Sequence, residues 1–143
     1  MTEAIGEAIG RKLRGGETIE LSSDLGGGKT TLMRGLAQGA GSDDHVASPT
    51  FTVSKVYDAR HLQLHHFDFY RLPEAGVMRE ELAELAGDPT YVVVVEWSDI
   101  VKDVLPEDRL TVTLTAISED ERQITMEYPQ QLEYLVESLL EVD

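Results

Sequence analysis

TIELSSDLGGGKTTLMRGLAQGAG, residues Thr18–Gly41, runs from a strand-like segment through a glycine turn into a helical one. Thr18–Ser22 is a short extended run. Leu32, Met33, Leu36, Ala37 and Ala40 recur at helical spacing, and Gly39 and Gly41 are expected to end that helix. Between strand and helix, Gly26, Gly27 and Gly28 lead into Lys29-Thr30, the G-K-[ST] of a phosphate-binding loop. Such a loop works because consecutive main-chain N–H groups, here from Leu25 to Thr31, turn inward on an anion that small residues let approach closely. The helix that follows adds the positive end of its dipole. Lys29 would reach the outer phosphates of a nucleotide, and the Thr30 hydroxyl would ligate Mg²⁺. A plain glycine turn leaves Lys29 unexplained, because a cation is disfavoured at a helix start. The full pattern asks for Gly at position 23, where this chain has Ser23. A small residue suffices where the strand turns into the loop, with modest strain if its φ is positive.

Working outward, Ile5, Ile9 and Leu13 form one apolar helical stripe over residues 4–14, stopped by Gly15-Gly16. Residues 51–57 and 62–67 alternate around Asp58-Ala59-Arg60 and read as a hairpin. Leu72-Pro73 breaks the chain, and Val77, Met78, Leu82 and Leu85 mark a helix that stops at Gly87-Asp88-Pro89. Tyr91–Val95 is a continuous apolar run, the signature of a strand covered on both faces. Leu110–Ala116 and Gln123–Tyr128 read as a second hairpin, and Pro129–Glu141 as an amphipathic closing helix. The fold expected is α/β: one domain over residues 1–143, built as a phosphate-loop NTPase, with a mixed, mostly parallel sheet flanked by helices.

The formal charge of −15 is unevenly spread. Residues 1–71 hold nine acidic and eight basic side chains, whereas residues 72–143 hold 18 and four. An acidic half repels phosphate backbones, so sequence-specific binding to nucleic acid is not expected. It keeps the protein soluble, suits a salty cytoplasm, or docks a basic partner. No apolar segment reaches membrane-spanning length, and MTEAIGEAIGRKL lacks the apolar core of a signal peptide, so a cytoplasmic protein is expected. The chain contains no cysteine, which removes disulfides and thiolate metal sites.

Two acids stand where ligands bind in open α/β sheets, at the carboxyl ends of strands. Glu96 closes VVVVE and is a candidate Mg²⁺ ligand beside Thr30. Asp68, in HHFDFYR, ends the first hairpin and could orient a water for attack on a terminal phosphate. His61, His65 and His66 invite a zinc reading, but no helical i, i+4 pair supports it.

Four ordered segments, DLGGGKTTLMRGLAQG, SPTFT (Ser48–Thr52), HHFDFYRL (His65–Leu72) and VVEWSD (Val94–Asp99), together resemble the TsaE family. These are small bacterial ATPases required to make threonylcarbamoyladenosine on transfer RNA. The resemblance runs from about Thr2 to Arg122 and implies ATP and Mg²⁺ as cofactors. It places Leu25, Gly26, Gly27, Gly28, Lys29, Thr30 and Thr31 in the phosphate cradle, with Thr30 and Glu96 on the metal. It makes Lys29, Asp68 and Glu96 the catalytic set, with Asp68 taking part in hydrolysis. Ser48, Pro49, Thr50 and Thr52 become switch residues that sense the γ-phosphate, and Arg122 a contact to the base. It further implies that the protein does not modify transfer RNA itself. Instead the resemblance implies that it acts on paired TsaB and TsaD proteins; the acidic second half suits a protein partner, and residues around 74–86 or 130–143 are expected to help form the docking surface.

A small GTPase fails on inspection: its guanine-reading motif needs Asn or Thr before Lys-x-Asp, and the chain has no Asn and no T-K-x-D. A small phosphate-loop kinase would need an arginine-bearing lid, for which Arg71 and Arg79 are the candidates. A nucleotide-sensing module without significant turnover is the remaining alternative.

Overall fold

Val92, Val93, Val94 and Val95 are each at most 1% exposed. Their strand must therefore lie inside a sheet that is covered on both faces. A computed structural model describes residues 2–23, 29–43, 54–68, 77–96, 102–118 and 122–140. In chain order the elements are α1 (Thr2–Arg11), β1 (Thr18–Ser23), α2 (Lys29–Ala40), β2 (Ser54–Asp58), β3 (Gln63–Asp68), α3 (Val77–Leu85) and β4 (Tyr91–Glu96). A 3₁₀ turn (Lys102–Val104), β5 (Leu110–Ala116), β6 (Arg122–Glu127), a 3₁₀ helix (Gln130–Leu135) and α4 (Glu137–Leu140) follow.

The six strands lie in the order β2-β3-β4-β1-β5-β6. β3, β4, β1 and β5 run parallel, while β2 and β6 pair antiparallel at the two edges. Each hairpin read from the sequence thus contributes one parallel inner strand and one antiparallel edge. Strand alternation sets Ile19 and Leu21 on the same face as Leu64, Val92, Val94, Leu110, Val112 and Leu114. There they form a core with Ile9, Leu32, Met33 and Leu36 of the first two helices and with Leu132 and Leu135 near the C-terminus. On the other face, α3 lies against β4 and the first 3₁₀ turn, with Leu82 fully buried. Among the described residues no helix is long and apolar enough to cross a membrane.

α1 and α2 meet backbone to backbone. A β-carbon on Gly6 or Gly10 would run into the carbonyl oxygens of Leu32 and Leu36, and one on Gly35 or Gly39 into those of Glu3 and Glu7. The Gly-x-x-x-Gly spacing on each helix turns glycine toward glycine and leaves no room for a methyl group. Gly39 therefore lies within α2 and does not end it, contrary to expectation. Gly41 alone makes the stop, with φ of 93°. Ser42 N–H bonds to the Ala37 carbonyl and Gly41 N–H to that of Gln38, which satisfies the last turn as a left-handed C-cap does.

The C-terminal segment also departs from expectation. Instead of one α-helix over 129–141, a 3₁₀ helix precedes a single turn of α-helix. Leu132 N–H bonds to the Pro129 carbonyl and Val136 N–H to that of Glu133, both i→i−3. That tighter winding eclipses Leu132 and Leu135 on the core side. The Tyr134 hydroxyl meanwhile donates to Glu17 at 2.6 Å, tying the segment to the turn before β1. Glu17 also accepts from Arg14 N–H at 2.8 Å and Gly15 N–H at 2.7 Å, closing the end of α1. Burial and the Glu17 carboxylate together push the Tyr134 hydroxyl well above its ordinary pKa.

Gly35→Ala should cost about 1–3 kcal/mol through overpacking against Glu3. Urea denaturation checks this, and a variant as stable as wild type would refute the close helix contact.

Candidate functional site

Parallel pairing brings the ends of β1, β4 and β3 to one edge of the sheet. Glu96 stands opposite Leu21 of β1 on one side and opposite Asp68 of β3 on the other. Neighbouring strands are about 4.8 Å apart, so the Asp68 and Glu96 backbones are immediate neighbours. Alternation carries both side chains to the face that α2 covers, the face of Ile19, Leu21 and Leu64. From β1 the chain crosses to β2 and β3, and from β4 it crosses back to β5 on the far side of β1. The crevice between β1 and β4 is therefore the topological switch point, where ligands of open α/β sheets bind.

α2 begins at Lys29, directly after the glycine-rich stretch of sequence that follows β1. No acidic side chain sits in its first turn, so the positive end of a 12-residue helix is left without a carboxylate of its own. Thr30 and Thr31 occupy that turn and are half-buried. For Lys29 and Ser23 the backbone is described, as the first residue of α2 and the last of β1. Leu25, Gly26, Gly27, Gly28, Ser48, Pro49, Thr50, Thr52 and Arg71 lie outside the described residues.

Glu96 is only 4% exposed, and His66 is 1% exposed. His66 Nε2 lies 2.5 Å from Glu96 Oε2. A carboxylate only accepts, so Nε2 carries the hydrogen and His66 donates. His66 Nδ1 is buried without a hydrogen-bond partner among the described residues. The Tyr57 ring lies 6.5 Å away, tilted by 32°. Asp68 is half-buried at the strand end and makes further interactions of its own. Arg122 opens β6 opposite Ala116, three strands from Glu96 and four residues beyond its level, about 20 Å away by strand spacing and rise. The backbone thus sets Asp68 beside Glu96 and leaves Arg122 at the rim.

The three histidines do not converge. His66 points to the α2 face, His65 to the opposite one with its ring edge-on to Tyr91 at 4.8 Å, and His61 is exposed in the hairpin turn. Among the described residues no three His, Asp or Glu side chains gather around a metal-sized point. What the edge does offer is hard oxygen donors, the carboxylates of Glu96 and Asp68 and the Thr30 hydroxyl. That set suits Mg²⁺, which keeps several waters and shares its shell with phosphate oxygens. The pairing of His66 with Glu96 was not read from the sequence. The signal present there was His66-x-Asp68, two residues on one face of a strand that ends in an acid.

A mixed sheet with a glycine-rich stretch of sequence between β1 and α2, and paired acids on the neighbouring strand ends, is the fold of a phosphate-loop NTPase. The structure superposes on the crystal structure of Bacillus subtilis YdiB with a TM-score of 0.74 and 31% sequence identity, over 97% of this chain and 86% of that one. The family model described as threonylcarbamoyl adenosine biosynthesis protein TsaE matches residues 1–124. The tRNA threonylcarbamoyladenosine biosynthesis protein TsaE of Bacillus subtilis is 37% identical over 128 residues, covering 87% of this chain and 77% of the relative. That of Treponema pallidum is 37% identical over 121 residues, covering 85% and 89%. The chain belongs to the TsaE family, which takes part in the biosynthesis of threonylcarbamoyladenosine on tRNA.

Burial holds His65 below its ordinary pKa, against an upward pull from Glu81. The folded state therefore prefers the neutral ring. Its contribution is present above the unfolded value near 6.5 and is lost as pH falls below it. Stability should drop less between pH 7.5 and 5.5 in His65→Phe, which keeps a ring against Tyr91, than in wild type. Urea melts at the two pH values measure the difference, and equal drops would contradict the assignment.

Proposed function

We propose that the protein binds ATP with Mg²⁺ and hydrolyses it as an accessory ATPase of tRNA threonylcarbamoyladenosine formation, acting on a complex of TsaB and TsaD. The observation that carries this reading is the register of Asp68 beside Glu96 at the edge where α2 begins with Lys29-Thr30. Main-chain N–H groups from Leu25 to Thr31 cradle the phosphates, and Lys29 neutralises them. The Thr30 hydroxyl and the Glu96 carboxylate would hold Mg²⁺, which would supply charge neutralisation at the outer phosphates. Asp68, one strand further out, orients the attacking water and accepts its proton as the water oxygen bonds to the γ-phosphorus and the bond from that phosphorus to the leaving ADP breaks. Ser48, Pro49, Thr50 and Thr52 sense the terminal phosphate, and Arg122 reaches toward the base from the rim.

Electrostatics support a protein partner over RNA. Glu80, Glu81 and Glu84 stand exposed on α3, while Glu133 and Glu137 stand exposed near the C-terminus. The two acidic segments pack on opposite sides of the sheet, α3 on β4 and the C-terminal segment on α1. They are therefore separate acidic surfaces, either of which could offer carboxylates to a basic patch on a partner protein.

Lys29→Ala should weaken ATP binding at least tenfold with or without Mg²⁺, because the phosphates lose their cation. Glu96→Ala should remove the gain in affinity that Mg²⁺ gives and leave affinity in EDTA nearly unchanged. Asp68→Ala should bind ATP normally and turn over about a hundredfold more slowly. Calorimetry and phosphate release, each with and without the partner proteins, test these. Tight ATP binding with no phosphate release even in the presence of the partners would favour a nucleotide sensor over an ATPase.

A further inference from the structure

We propose that His66 is a positioning residue for Glu96: its Nε2–H fixes the carboxylate that, in the reading above, holds the divalent cation. The pair sits on two inner, hydrogen-bonded strands. His66 is in register with Val94, two residues before Glu96, so it reaches the carboxylate diagonally along one face. With both backbones fixed in the sheet, only side-chain torsions are left to set where the carboxylate points. The 2.5 Å contact engages Oε2 and restrains those torsions, alongside the further interaction that Glu96 makes.

Stability alone does not account for the pair. An imidazole and a carboxylate both at least 95% buried are costly to dehydrate, and a well-packed apolar pair of similar volume is often as stable or more so. Nδ1, which has no hydrogen-bond partner among the described residues, adds a further cost, because a buried polar atom without a partner keeps its full desolvation penalty. What the arrangement achieves is orientation. Groups that hydrogen-bond a metal-ligating carboxylate set its direction and basicity, and their loss typically lowers metal affinity by about 10–100-fold.

The test uses the full chain with Mn²⁺ as the probe and a non-hydrolysable ATP analogue at saturation, free Mn²⁺ being read by electron paramagnetic resonance. His66→Leu should lower Mn²⁺ affinity about 10–100-fold while nucleotide affinity in EDTA stays within about twofold of wild type. His66→Gln, which can still donate to Glu96, should recover most of the loss. Should His66→Leu not fold, His66→Gln and His66→Asn repeat the comparison with polar side chains. Gln is long enough to reach Glu96 and keeps the affinity, whereas Asn is one methylene shorter and loses it. Equal Mn²⁺ affinities across wild type and variants would overturn the proposal and leave the nucleotide site standing. Wild-type protein that takes up neither nucleotide nor Mn²⁺ would overturn the nucleotide site and the positioning role together.

Discussion

The hydrogen-bond register among β3, β4 and β1 decides what the carboxyl edge presents. Because side chains alternate with a period of two, a slip of one residue in β4 would turn Glu96 away from α2 and bring Val95 into its place. The register is held by burial on both faces: Val92 and Val94 pack under the first two helices, while Val93 and Val95 face the α3 side. No slipped pairing preserves both sets of contacts with a carboxylate left at the end of the strand. The acid pair is thus a consequence of core packing several residues earlier in the same strands.

Burial of acids is not confined to that edge, and the contrast is informative. Glu17 is 5% exposed but accepts from two backbone N–H groups and the Tyr134 hydroxyl, so its charge is met by donors that also close a turn. Glu20 is 6% exposed, with the Thr111 hydroxyl at 3.1 Å and the Arg109 guanidinium at 3.5 Å. Both work as structural joints between elements distant in sequence. Glu96 differs in position, at the end of its strand beside the start of a helix. It differs too in leaning on an imidazole that itself has an unmet nitrogen among the described residues. Local cost of this kind collects at sites kept for function more than for stability.

Much of this was legible in the sequence because it is local. The valine run could only be an inner strand, the two hairpins show in their turns, and Glu96 and Asp68 are visible as strand-end acids without any knowledge of their neighbours. What was not legible depends on partners far along the chain. An apolar period near three or four residues fits Leu132, Leu135 and Leu139 in either an α or a 3₁₀ winding, and the choice falls to the Tyr134–Glu17 bond across 117 positions. Gly39 looked like a helix stop because nothing nearby shows that Glu7 of α1 lies against it. His66 looked like one of three histidines until the parallel register of β3 and β4 set it diagonally from Glu96.

The glycine seam between α1 and α2 connects that packing to the site. Leucine side chains between two helices leave some freedom to slide, whereas backbone-to-backbone contact at four glycines fixes both the separation and the axial register of the pair. α1 is in turn fastened at its far end, where Glu17 closes the turn and Gly16 N–H bonds to the Tyr91 carbonyl at the start of β4. The start of α2 is therefore held relative to the strand that carries Glu96 through a chain of rigid contacts outside the site. The segment between β1 and α2 therefore does not have to position the helix by itself. Ser23, where the full phosphate-loop pattern has Gly, is the last residue of β1 and so belongs to the strand.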